Sequence, residues 1–96
     1  MKPSAALEKN REAVRAAVSR YRVANPRVFG SVVRQEDTEE SDLDILVDTT
    51  PGTTFFDLGG LQTDLENLLG VRVDVVTSST LATRFRHRIL TEAQPL

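Results

Sequence analysis

A glycine–serine pair, Gly30-Ser31, and an Asp-x-Asp pair, Asp42 and Asp44, lie ten residues apart in this 96-residue chain. A third aspartate, Asp74, stands in an alternating apolar run from Val71 to Val76. Gly30 has no Cβ, so an anion can approach the backbone closely there. Ser31 is placed where a strand gives way to a helix N-terminus, whose free N–H groups and dipole attract phosphate. Carboxylates gathered in one place repel each other, and a divalent cation relieves that repulsion. Mg²⁺ suits the position, because it takes oxygen ligands and is held by one or two carboxylates together with substrate phosphates. A phosphate cradle at the end of one strand and a metal-binding Asp pair at the start of the next describe metal-dependent phosphoryl or nucleotidyl transfer. From average residue usage, a chance match to these four identities at these offsets is on the order of one in a thousand for a chain this long.

The elements that must position these groups follow from periodicity. Leu7, Val14, Val18 and Tyr21 recur at helical spacing and predict an amphipathic first helix. Ser4 is its expected N-cap and Asn25-Pro26 its stop. Arg27 to Phe29 reads as a strand, followed by a short helix around Val32 to Gln35 capped by Ser31. Glu36 to Ser41 reads as a solvated polar loop. Leu43 to Val47 reads as a second strand, with Leu43, Ile45 and Val47 on one face and Asp42, Asp44, Leu46 and Asp48 on the other. Thr54 and Asp57 form a capping-box pattern ahead of a helix with Leu58, Leu61, Leu65 and Leu68 on its buried face. Gly59-Gly60 inside that helix predicts close packing against the sheet or a partner, and Gly70 predicts its end. Val71 to Val76 is a third strand. Thr80 to Ala93 is a last helix, with Leu81, Phe85, Ile89 and Leu90 inward. The order α-β-α-β-α-β-α predicts an α/β (α+β) domain spanning 1–96, a small mixed sheet covered by helices. If the second and third strands are neighbours, Asp42, Asp44 and Asp74 share one patch of the sheet.

With those residues in place, the sequence resembles the minimal nucleotidyltransferase (MNT) proteins of the DNA polymerase beta superfamily. Gly30-Ser31, ten residues, then Asp42-Leu43-Asp44 is that family's signature, and Asp74 falls where its third carboxylate lies. The likeness covers most of the chain, and stand-alone proteins of this kind resemble the antitoxin half of HEPN–MNT toxin–antitoxin pairs. The resemblance implies a polymerase beta-like fold and transfer of a nucleotidyl group, AMP from ATP, to a tyrosine of a HEPN ribonuclease toxin. It implies that Asp42 and Asp44 hold the Mg²⁺ ion that binds the triphosphate. Asp74, with one or both of them, holds a second ion at the attacking hydroxyl. Gly30, Ser31 and Arg34 steady the β and γ phosphates. In one departure, the family's basic, Gly-containing turn is replaced by Val32-Val33-Arg34-Gln35, which keeps one basic residue in register.

Composition excludes other classes. There is no cysteine and one histidine, which removes disulfides, thiolate zinc sites and multi-histidine metal sites. No apolar run approaches the ~20 residues of a membrane span, and a cytoplasmic protein is expected. The net charge of −2 hides a segregation: residues 1–27 carry +5 and residues 28–48 carry −6. The total charge and the absence of an aromatic stacking platform argue against direct nucleic-acid binding. The rival to the enzyme is an antitoxin that neutralises its toxin by contact, with little or no catalysis.

Overall fold

The computed structural model describes residues 1–96. Helix α1 runs Pro3–Val18, with proline in its first turn where the fixed φ suits the helix. Ser4 does not cap it. Lys2 holds the cap position without a side-chain bond, and the Ser4 N–H donates to the Asp37 carboxylate at 2.9 Å. Asp37 belongs to the loop read as solvated, yet it is only 8% exposed. Burial pushes its carboxyl up, but the Ser4 backbone and hydroxyl outweigh burial and hold it below the ordinary range. An acid from elsewhere in the chain thus takes the local cap's role. Helix α1 is also kinked at Asn10, whose side-chain amide donates to the Ala6 carbonyl at 2.9 Å.

The first helix ends earlier than the Asn25-Pro26 signal suggests. Strand β1 spans Val23–Phe29 and carries that pair inside it. Asn25 has φ 51°, and the pairing shifts between Ala24 and Arg27. This bulge lets a residue without an N–H stand within a ladder. The expected helix at Val32 to Gln35 is instead a 3-10 turn at Gly30–Val32, and Phe29, not Ser31, takes its cap position. Strand β2 is Leu43–Thr49, helix α2 Phe55–Leu69, strand β3 Val73–Thr77, helix α3 Thr83–Glu92 and strand β4 Gln94–Pro95. The sheet order is β3-β2-β1-β4. β1 is antiparallel to β2 and to β4, whereas β2 and β3 are parallel and joined by the α2 crossover. The mixed sheet with helices is the α+β architecture expected. Strand β4, two residues after a helix, is too short to carry a periodic signal and is an addition to it.

Helices α1 and α2 cover one face of the sheet. Leu7, Val14 and Val18 meet Leu43, Ile45, Val47, Leu61, Leu65 and Val73 in a single cluster. Each fully buried aliphatic side chain contributes about 1.5–3 kcal/mol. The Thr54–Asp57 capping box and the left-handed Gly70 at φ 70° bound α2 as expected. Leu69 takes the buried position expected of Leu68, which is 39% exposed. Of the two glycines, only Gly60 is closely approached. A Cβ there would lie 2.9 Å from the Tyr21 ring, whereas Gly59 faces open space. Within the chain the close packing is therefore against Tyr21 and not the sheet. The Tyr21 hydroxyl donates to Asp64.

Helix α3 departs most from expectation. It has no buried residue, and Phe85 and Leu90 are each 43% exposed. It connects the β3 edge to the β4 edge and lies over the sheet face opposite α1 and α2. There Phe29 shares a groove with Phe85 and Ile89. That face carries Asp44 and Asp74 beside Phe29 and Leu46, which are buried, while the residues of the helix itself stay open.

Candidate active site

Strand register builds the site. Phe29 pairs with Asp44 across β1–β2, and Asp44 pairs with Asp74 across β2–β3. Cross-strand partners point to the same face, so the two aspartates stand side by side on the face away from the core. Gly30 follows at once. Its φ is +80°, and a Cβ there would overlap the Asp44 carboxylate, 3.3 Å from Cγ. Glycine is required twice over, by backbone conformation and by the carboxylate beside it. The sequence places an anion close against the Gly30 backbone. The structure buries Gly30 and sets a carboxylate there.

Asp44 is the perturbed group. Burial pushes its carboxyl up to about 6, with Asp74 and then Asp42 adding to the rise. Three carboxylates therefore act on one another, as the sequence implied. They are not gathered as a ready ligand set: no three acidic or histidine side chains lie close enough to hold an ion among them. Asp42 lies just before β2, and its Oδ1 accepts from Arg72 Nε at 3.1 Å. Asp74 is exposed. The donors present are hard carboxylate oxygens with mutual repulsion to relieve, which suits Mg²⁺.

Ser31 follows Gly30 in the 3-10 turn and is half-buried. Arg34 reaches the same region, and acids hold it. Its Nε donates to Glu36 at 3.1 Å, and its Nη1 donates to both Glu92 oxygens at 3.0 and 3.1 Å. Glu92 Oε2 also accepts the Gly30 N–H at 2.8 Å. Burial pushes the Glu92 carboxyl up, but Gly30 and Arg34 outweigh it and leave it below the ordinary range. Sequence reasoning missed Glu92. Its one signal was an isolated acid ending an arginine-rich helix. An open groove of about 210 Å³ runs beside Gly30, lined also by Arg34, Phe85, Arg88 and Ile89. A larger cavity of about 390 Å³ between α1 and the 3-10 turn is lined by none of Asp42, Asp44 and Asp74. His87 is exposed.

A paired set of strand carboxylates beside a glycine turn defines a class, the small nucleotidyltransferases, and comparison with known proteins agrees. The profile of the nucleotidyltransferase domain matches residues 7–96, and the chain belongs to that family. The protein adenylyltransferase MntA of Thermococcus cleftensis is 42% identical over 73 residues, covering 76% of this chain and 74% of that protein. A candidate protein adenylyltransferase of Methanocaldococcus jannaschii is 40% identical over 74 residues, covering 77% of this chain and 80% of its own length. A solved structure described as a candidate minimal nucleotidyltransferase superposes with TM-score 0.85 at 47% identity, over 97% of this chain and 95% of that one. A toxin–antitoxin structure with AMP-PNP shares the fold, with TM-score 0.70 at 21% identity over 88% of this chain and 70% of that one.

Proposed function

We propose that this nucleotidyltransferase is an antitoxin that transfers AMP from ATP to a tyrosine of a HEPN-type toxin, with Mg²⁺ bound at Asp42, Asp44 and Asp74. The Asp44–Asp74 cross-strand pair beside Gly30 carries the reading. The relatives named protein adenylyltransferases supply the class of acceptor. Gly30, Ser31 and Arg34 bind the triphosphate. The acceptor oxygen bonds to the α-phosphorus, the bond to the bridging oxygen breaks, and pyrophosphate leaves. The acceptor's proton passes to Asp74, the more exposed member of the pair. Mg²⁺ when bound neutralises triphosphate charge and lowers the pKa of the attacking hydroxyl. A domain spanning 1–96, working in the cytoplasm beside its toxin, completes the proposal.

Incubating the protein encoded beside this chain with Mg²⁺ and each nucleoside triphosphate tests it by mass spectrometry. We expect one AMP per toxin, on tyrosine, from ATP. A modification on another residue type or from another nucleotide revises the acceptor or donor, and no modification at all refutes transfer.

A second reading is neutralisation by contact. Two observations favour it: Asp42 is held by Arg72, and the Gly30–Arg34 donors are held by Glu92. Asp42→Asn with Asp44→Asn separates the two, since a contact antitoxin keeps neutralising without these carboxylates.

A further inference from the structure

We propose that Glu92 is an internal anion occupying the cradle formed by Gly30 and Arg34, and that it must leave when a triphosphate enters. The inference rests on the reading of that turn as the triphosphate site. It deepens that reading by naming what the phosphates displace.

The geometry is that of a bound anion. One Glu92 oxygen accepts the Gly30 N–H at 2.8 Å. The two oxygens together take Arg34 Nη1 at 3.0 and 3.1 Å. The carboxylate thereby uses two of the three groups assigned to phosphate, Gly30 and Arg34, and its side chain is 17% exposed. A phosphate cannot share these donors with a carboxylate, because the two anions repel at short range.

The placement of Glu92 is a second observation. It is the last residue of α3. A helix C-terminus carries partial negative charge and disfavours an acid. Local preference opposes glutamate there, and the contacts that offset this are with Gly30 and Arg34. Release is also mechanically cheap. Helix α3 buries none of its residues, so its end can shift while the chain after it stays held by the pairs Arg27 with Pro95 and Val28 with Gln94 and by the Leu96 N–H donating to the Pro26 carbonyl at 3.1 Å. Arg88, one turn earlier, lines the same groove and offers the freed carboxylate a new partner.

With Glu92 in place the cradle is closed, and apparent affinity for nucleotide is scaled down to the fraction of molecules in which Glu92 has let go. Triphosphate entry is coupled to movement at the end of α3.

Titration calorimetry with ATP and Mg²⁺, and separately with inorganic tripolyphosphate, tests this on the parent, Glu92→Gln and Arg34→Ala. Glu92→Gln keeps the shape and removes the charge. The expected result is binding at least about fivefold tighter for Glu92→Gln, and weaker for Arg34→Ala. Unchanged or weaker binding by Glu92→Gln, with Arg34→Ala still weakening the parent, overturns the inference and leaves the triphosphate site standing. A parent that binds neither ligand, or whose binding ignores Arg34→Ala, overturns the site and the inference together. A readout in the unaltered protein covers a variant that fails to fold. The NMR signals of the Gly30 amide and the Glu92 side-chain carboxyl carbon should shift together as ATP and Mg²⁺ are added. A Gly30 shift with an unmoved Glu92 carboxyl overturns the inference.

Discussion

At the scale of single residues, the proposed chemistry turns on Asp44, and so does a pH dependence of stability. Its folded pKa of about 6 lies above the ordinary 3.8. Between those values the folded state holds more protons than the unfolded state, so stability falls as pH rises through the window and stays lower above it. Asp44→Asn removes that repulsion. Its melting temperature should exceed the parent's by several degrees at pH 8 and by less at pH 4.5, read by thermal scans without metal. A variant no more stable at pH 8 than the parent contradicts the electrostatic account. Mg²⁺ should raise the parent's melting temperature at pH 8 and leave Asp44→Asn unchanged. Asp74 has a separable role, because it is exposed and opposite Asp44. Asp74→Asn should keep nucleotide binding better than Asp42→Asn yet lose transfer, the pattern of a group needed more in the transition state than in the ground state. Equal loss of binding by calorimetry contradicts that division. Gly30 is less tolerant than its sequence context suggests. Gly30→Ala should cost at least about 1 kcal/mol in denaturant unfolding, because it meets both a positive φ and the Asp44 carboxylate. A Gly30→Ala protein as stable as the parent contradicts this. Neither reason can be read from a glycine's neighbours in sequence.

At the scale of elements, legibility followed the strength of local signals. Helix α2 was readable at both ends because Thr54, Asp57 and Gly70 cap it with their own groups. Thr54→Ala should therefore cost about 1 kcal/mol and lower the melting temperature by about 4–8 °C. No change in a thermal scan would show that the box does not hold the helix. The Asp42–Asp44 strand and its faces were readable because alternation is strict where one face is buried. The start of α1 was not, because its cap is Asp37, whose Oδ2 accepts from the Ser4 N–H. Strand β1 hid behind Asn25-Pro26, a helix stop that the fold uses as a bulge. Helix α3 misled by periodicity. Its apolar residues are spaced for a core, yet none of them is buried.

Over the whole molecule, the charge segregation acquires a reason. The acidic middle segment is met by basic residues: Asp48 by Arg27, Asp42 by Arg72, Glu36 by Arg34 and Glu39 by the N-terminal amine. Apart from Asp48 with Arg27, whose guanidinium is largely covered, these are exposed pairs that contribute about 0–1 kcal/mol each, so they organise the acids more than they stabilise the fold. Asp44 and Asp74 remain without an ion-pair partner, on the face away from the core. The candidate site was legible as a set of residue types at fixed spacing, and register delivered Asp44 beside Asp74. The counter-ions Arg72 and Glu92 were not legible, since they meet the site only through long-range folding. The most direct measurement is the intact mass of the proposed toxin, the protein encoded beside this chain, after incubation with ATP and Mg²⁺. The parent protein and Asp44→Asn with Asp74→Asn should be compared, with ribonuclease activity read in the same samples. The account predicts an added AMP and lost ribonuclease activity with the parent, and neither with the double variant. An unmodified toxin silenced equally by both proteins would contradict it.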